Sequence, residues 1–238
     1  MNIMKFTCAK IFLCGFLFLM APLLNAGVRP LVSGSSCTVL IDPAHGGDDM
    51  GVQVSKKVME KDITLAVALA LKKQLEENDK KITVCMTRTE DVSVSLEERM
   101  RMAEQWKPRA LVSLHVNGGF GQSASGYEIS FPGQQNGGAV QNKNEQTSIV
   151  KDMKNTQHVN HSIRMAQLIQ KNLEKVFPRK GRGIREAPVP LLSVLHVPSV
   201  CVEMAFLTSE ADRDKILSAK TQKAVVQALA KGIGEYLK

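Results

Sequence analysis

The chain has 238 residues, 44% of them apolar, and a formal net charge of +8. That is enough for one α/β domain or two small ones around a full core, and it excludes a disordered or fibrous chain. With one Trp, two Tyr and no basic stripe interleaved with aromatics, a nucleic-acid surface is not expected.

Residues 1–26 read as a secretory signal. Lys5 and Lys10 precede the uncharged run IFLCGFLFLMAPLLNA, which ends on small residues at Ala26. The run is short for a membrane span and no second one follows, so an exported protein, periplasmic or cell-wall associated, is expected; an uncleaved anchor is the alternative. Cys14 lacks the small residues that precede a lipoprotein cysteine. Residues 27–36 form a short linker. Cleavage removes two lysines and no acid, so the exported chain stays basic and suits an anionic partner such as a wall polymer or a membrane surface.

From residue 37 onward, strand-like runs CTVLID (37–42), KITVCMTR (81–88), RALVSLHV (109–116), GYEISF (126–131) and SVCVEMAF (199–206) alternate with helical patterns. The helices are expected over Glu60–Glu77, Ser95–Gln105, Asn160–Val176, Ser209–Ser218 and Lys220–Leu237. This alternation predicts an α/β fold, a single domain over 37–238 with a twisted, mostly parallel central sheet covered by helices on both faces. Val225, Leu229, Ile233 and Leu237 form a core-facing stripe on the last helix. Cys37, Cys85 and Cys201 each sit in an apolar run, which favours buried thiols over a disulfide framework or a cysteine zinc site; a Cys37–Cys85 or Cys37–Cys201 bridge stays open. The stretch 133–158 is polar, rich in Gly and Asn, and longer than most connections, so it reads as a lid or a disordered insertion.

The chemistry starts at IDPAHGGDDMGV (41–52), where His45 lies between a proline turn and two glycines at a strand end. An open α/β sheet places ligands or metals there, and the glycines are expected to admit metal and substrate. Glu60 opens a helix, His115 ends ALVSLHVN, and Glu203 lies near the end of SVCVEMAF. A parallel sheet with right-handed crossovers can gather all four at one edge. His, Glu and His suit zinc with a fourth position left for water, and Glu203, the only acid of an apolar strand, suits a proton shuttle. Each also has a bland reading: the histidines as structural groups, Glu60 as a partner of its helix dipole. There is no GxSxG elbow, no GxxxxGK[ST] loop and no HExxH.

The blocks IDPAHGGDDMGV, MEKDITLAVALALKKQLE, VCMTRTEDVSVSLEERMRMA, ALVSLHVNGG, SGYEISF and VPSVCVEMAFLTS closely resemble, in order, those of the zinc-dependent N-acetylmuramoyl-L-alanine amidases of the amidase 3 type. The resemblance runs from about Thr38 to the C-terminus. It implies a zinc ion (Zn2+) on His45, Glu60 and His115, Glu203 as a catalytic residue, and peptidoglycan as substrate, cut between the lactyl group of N-acetylmuramic acid and L-alanine. Asn117 and Arg88, shared with the family blocks, are expected to shape the substrate site. Ala44, Met204-Ala205 and Ser209 depart from the family pattern without touching a ligand; they bear on substrate preference. With the set complete, His158, His161 and His196 are expected to be non-ligands.

Some members of the family carry an insertion comparable to 133–158 that covers the zinc until an activator protein moves it. Here Thr147 to Lys154 would form two helical turns with Ile149, Val150 and Met153 on the cleft, and Glu145 or Asp152 could fill the open coordination position. A monomer is expected. The rival readings are a non-catalytic wall-binding protein of the same fold and another zinc hydrolase, a peptidase or deacetylase, acting on wall material.

Overall fold

The computed structural model describes residues 37–119, 124–133, 145–194 and 196–238. The expected signal (1–26) and linker (27–36) lie outside the described residues. Along the chain come β1 (Val39–Pro43), a small hairpin of β2 (Gln53–Ser55) and β3 (Val58–Met59), α1 (Glu60–Asn78), β4 (Val84–Met86), α2 (Leu96–Trp106) and β5 (Ala110–Asn117). Then follow β6 (Tyr127–Phe131), α3 (Glu145–Leu173), β7 (Gly181–Glu186), α4 (Pro190–Val194), β8 (Ser199–Phe206), α5 (Glu210–Leu217) and α6 (Ala219–Leu237).

β1, VLIDP, is buried at all five positions. A run apolar on both faces belongs mid-sheet, and β1 lies between β4 and β5, parallel to both. The six-stranded order is β4-β1-β5-β8-β6-β7, with β6 against β8 the antiparallel pair. The chain leaves β1 through α1 to β4 on one side and then returns through α2 to β5 on the other. That reversal makes the carboxyl ends of β1 and β5 a switch point, the crevice where open sheets hold ligands.

One face of the sheet buries the larger core. Val39, Ile41, Val112 and Val202 pack against Val67 and Leu71 of α1, Met165 and Ile169 of α3, and the stripe Val225, Leu229 and Ile233 of α6, with Leu237 packed at its rim. Gly232 lets α3 and α6 approach closely, since a Cβ there would lie 2.7 Å from Ile169 Cα. On the other face Leu40, Leu111 and Cys201 form a smaller cluster under Ala103 of α2 and Leu191 and Leu192 of α4. Both faces are covered, as the alternation predicts, but unequally. α2 starts at Ser95, whose hydroxyl accepts from Glu98 N at 3.2 Å.

Several boundaries differ from expectation. α3 begins at Glu145, so the turns expected at Thr147 to Lys154 are the start of one 29-residue helix. No Gly or Pro interrupts 145–173, and its polar first half hides the periodicity. Met153 is 68% exposed and packs on no cleft among the described residues, which departs from that part of the lid expectation. The side chains of Glu145, Ile149, Val150 and Asp152 lie outside the described residues, as do 134–144. The β7 strand, GRGIRE, and the hairpin went unforeseen because they lack apolar alternation. Cys37, Cys85 and Cys201 are free thiols, so neither bridge forms. Among the described residues no helix is long and apolar enough to cross a membrane.

Candidate metal centre

After Pro43 the chain turns through a left-handed backbone: φ is +61° at His45, +131° at Gly46 and +59° at Gly47. A histidine in that region is strained and persists only where its surroundings hold it. Two buried arginines do so. Arg99 donates from Nη1 to Pro43 O (3.0 Å) and from Nη2 to His45 O (2.8 Å). Arg88 donates from Nε to Pro43 O (3.0 Å) and from Nη2 to Ala44 O (2.9 Å) and Lys61 O (2.8 Å). Lys61 Nζ clamps the far side of the loop, donating to Gly47 O and Asp91 Oδ2, each at 2.7 Å.

Asp42 lies beneath this loop, accepting from Arg99 and, at 2.7 Å each, from the hydroxyls of Thr87 and Ser113. Burial alone would raise its carboxyl; the Arg99 charge and these donors hold it below its ordinary value. Arg88, expected to shape the substrate site, lies buried against this loop. It is 3% exposed and its guanidinium serves the backbone of the His45 loop.

The glycine expectation also needs correcting. A Cβ on Gly46 would lie 2.3 Å from Val92 O, and one on Gly47 2.2 Å from Ser93 Oγ, so these two make room for the supporting loop. Gly51 is the glycine beside the candidate ligands. Its φ is +61°, and a Cβ there would lie 2.6 Å from both Glu60 Oε2 and His45 Cδ2.

The start of α1 delivers Glu60 under the two histidines. Its Oε2 is 3.1 Å from His45 Nε2 and its Oε1 is 3.1 Å from His115 Nδ1. Backbone N–H groups of Val52 (2.9 Å) and Val116 (3.0 Å) donate to the same carboxylate. Glu60 is 3% exposed; burial would raise its carboxyl, but the hydrogen bonds from His115 and His45 bring it to about 2. One ligand atom from each of His45, Glu60 and His115 lies within 4.8 Å of the others. Asp49 Oδ2 holds His45 Nδ1 at 2.8 Å, which fixes the ring and turns Nε2 to the cluster.

Glu203 approaches from β8, where it is the register partner of His115 on one side and of Glu128 on the other. Its Oε2 is buried without a hydrogen-bond partner among the described residues. Burial pushes its carboxyl up to about 7, opposed by His115 and reinforced by Glu60 and Glu128. Such a group can hold or release a proton near neutrality.

Residues 39–235 match the family model described as N-acetylmuramoyl-L-alanine amidase. The chain belongs to that family. It is 31% identical to the uncharacterized protein YqiI of Bacillus subtilis (strain 168) over 94% of both chains. It is 26% identical to the N-acetylmuramoyl-L-alanine amidase AmiC of Escherichia coli O6:H1 over 87% of this chain, but spans 53% of that protein. Among solved structures, an N-acetylmuramoyl-L-alanine amidase from Clostridium difficile 630 overlays with a TM-score of 0.69 at 29% identity, covering 86% of this chain and 98% of that one.

Asn117 ends β5, its carbonyl accepting from Leu207 N at 2.9 Å, and is partly exposed. The His158 ring lies tilted 6.2 Å from that of His196, and His161 lies edge-on to Tyr236. Asp49, Gly51 and the Asp42–Arg99 pair are the site residues that sequence reasoning missed. Asp49 carried a signal, an acid four residues after a candidate ligand; the other roles follow from loop closure.

Proposed function

We propose that this amidase binds zinc through His45, Glu60 and His115 and hydrolyses the amide between N-acetylmuramic acid and L-alanine in peptidoglycan. The observation that carries the reading is the carboxylate of Glu60, 3% exposed and flanked by two imidazoles, with no lysine or arginine paired to it among the described residues. A buried charge so placed calls for a cation, and two nitrogens with one oxygen are a zinc donor set with a position to spare.

Bound there, zinc would supply a Lewis acid for the amide carbonyl and lower the pKa of a water. Glu203 does the proton work. Its carboxylate takes the proton of the attacking water and passes it to the departing alanine nitrogen, so the amide C–N bond breaks to a lactyl carboxylic acid and a free amine. Asn117, beside His115 at the strand end, orients the sugar–peptide junction.

The chain acts after export, in the periplasm or the cell wall, as a monomer, with 37–238 as its catalytic domain. A partner protein acting on 133–158 would regulate it. Support for this last part is the length and polarity of the segment, with Glu145 and Asp152 as its candidate carboxylates.

Digestion of purified peptidoglycan tests the reading. Mass spectrometry should find stem peptides with free alanine amines and uncut glycan strands. The release should stop with a strong chelator and return with zinc. Full activity in protein shown metal-free by elemental analysis would overturn it.

A further inference from the structure

We propose that Arg182 and Arg185 form an anion subsite that grips a carboxylate of the peptide stem, beside the centre described above. The inference rests on the amidase reading and adds what the site recognises in its substrate.

Residues three apart on a regular strand face opposite sides of the sheet. On β7 they do not. The β6–β7 register shifts between Tyr127 and Ile129, and Gly183 adopts φ +98° within the shifted stretch. A bulge of this kind re-aims side chains, and here it brings Arg182 and Arg185 onto one carboxylate, Glu128. Arg182 Nε lies 3.6 Å from Glu128 Oε2, and Arg185 Nη2 pairs with Oε1. The Arg182 guanidinium also stands 5.1 Å from the centre of the Phe206 ring, near the end of β8. Glu186, the next charge on β7, is turned to Gly133 at the strand end.

Glu128 alone accounts for only half of this charge. Its side chain is 5% exposed, while those of Arg182 and Arg185 are 44% and 62% exposed. Two guanidiniums against one carboxylate leave a net positive charge on two planar forks that face solvent, the geometry that pairs with a further carboxylate. Position favours substrate. Glu128 is the register partner of Glu203, and β7 lies one strand beyond β6. At roughly 4.8 Å between strands, β7 lies about 10 Å from β8. An extended peptide covers roughly 3.5 Å per residue, so a carboxylate on the second or third stem residue reaches the pair when the alanine amide is at Glu203.

The test compares muramoyl-tripeptide substrates that carry free stem carboxylates with the same compounds amidated. Arg185→Gln leaves Arg182 to neutralise Glu128, and zinc content and circular dichroism establish that it is intact. Expected is a rise in KM of about tenfold on the free-acid substrate, kcat within about twofold, and no change on the amidated one. Arg185→Lys should fall between, keeping the charge but losing the fork. Should either variant be unstable, calorimetric binding of the free tripeptide to the wild-type enzyme, compared with its amidated form, reads the same preference. Unchanged KM, an equal rise on both substrates, or equal binding of both tripeptides would overturn the subsite. Failure of the wild type to cleave either substrate would instead overturn the amidase reading beneath it.

Discussion

The roles proposed for Glu203 and His45 rest on different atoms, so substitution can separate them. Glu203 lies outside the cluster of mutually close ligand atoms, whereas His45 Nε2 belongs to it. Glu203→Gln should retain zinc and lose turnover by on the order of 10²-fold or more, while His45→Ala should lose both. Elemental analysis beside an assay of stem-peptide release decides; zinc loss in Glu203→Gln would make the glutamate a ligand. Gly51→Ala tests the packing of the ligands from outside. Its Cβ would press on Glu60 Oε2 and His45 Cδ2 from a left-handed backbone, so a folded variant should bind zinc at least about tenfold more weakly. Competition with a chromophoric chelator measures that, and wild-type affinity would mean the ligands can yield. That His45, Glu60, His115 and Glu203 come to one end of the sheet was legible in the sequence, because they lie at or near strand ends and a helix start, in blocks that resemble those of the amidase family. How Arg88 acts was not legible, because nothing in TRTED tells a guanidinium that faces solvent from one that fastens a loop.

At the level of elements, the end of β1 depends on a buried ion pair. Asp42 titrates below its ordinary value of 3.8 in the fold, since the Arg99 charge and the hydroxyls of Thr87 and Ser113 outweigh the effect of burial. In the acid range the unfolded chain therefore binds more protons than the folded one at this site, and stability falls as pH drops through and below about 3.8. Above that range the pair's contribution is complete. Asp42→Asn should cost about 3 kcal/mol near pH 7 by leaving Arg99 buried and unpaired, and less near pH 3, where the wild type has already weakened. Urea unfolding at the two pH values gives the comparison; an equal cost at both would place the stability elsewhere. The main strands and helices were legible because their apolar positions follow a period. β7 and the first half of α3 were not: the one is charged and glycine-containing, the other a polar helix held by its own backbone and by packing further along.

For the whole molecule, the question is what controls access to the switch point. The helical start of α3 at Glu145 limits where the connection can be altered, so residues 134–144 are the part to replace with a Gly/Ser linker of equal length. If the segment restrains the site, turnover of the isolated chain should rise, because a blocked state no longer lowers the competent fraction. Unchanged turnover in a folded, zinc-loaded variant would make the segment a plain connection. Strand order had to be seen in the structure: alternating strands and helices predict a parallel sheet, but not that the chain reverses beside β1 or that β6 runs against β8. β7 has a further consequence. With β4 it is one of the two edge strands of the six-stranded sheet, and an edge strand offers unpaired main-chain groups to any extended segment of another molecule. The shifted register, the left-handed glycine and the paired arginines that shape the proposed subsite also make that margin crooked and charged. If the subsite is as proposed, substrate recognition and the guarding of this edge would share the same six residues, and a change of stem preference made there should also alter how the enzyme behaves at high concentration.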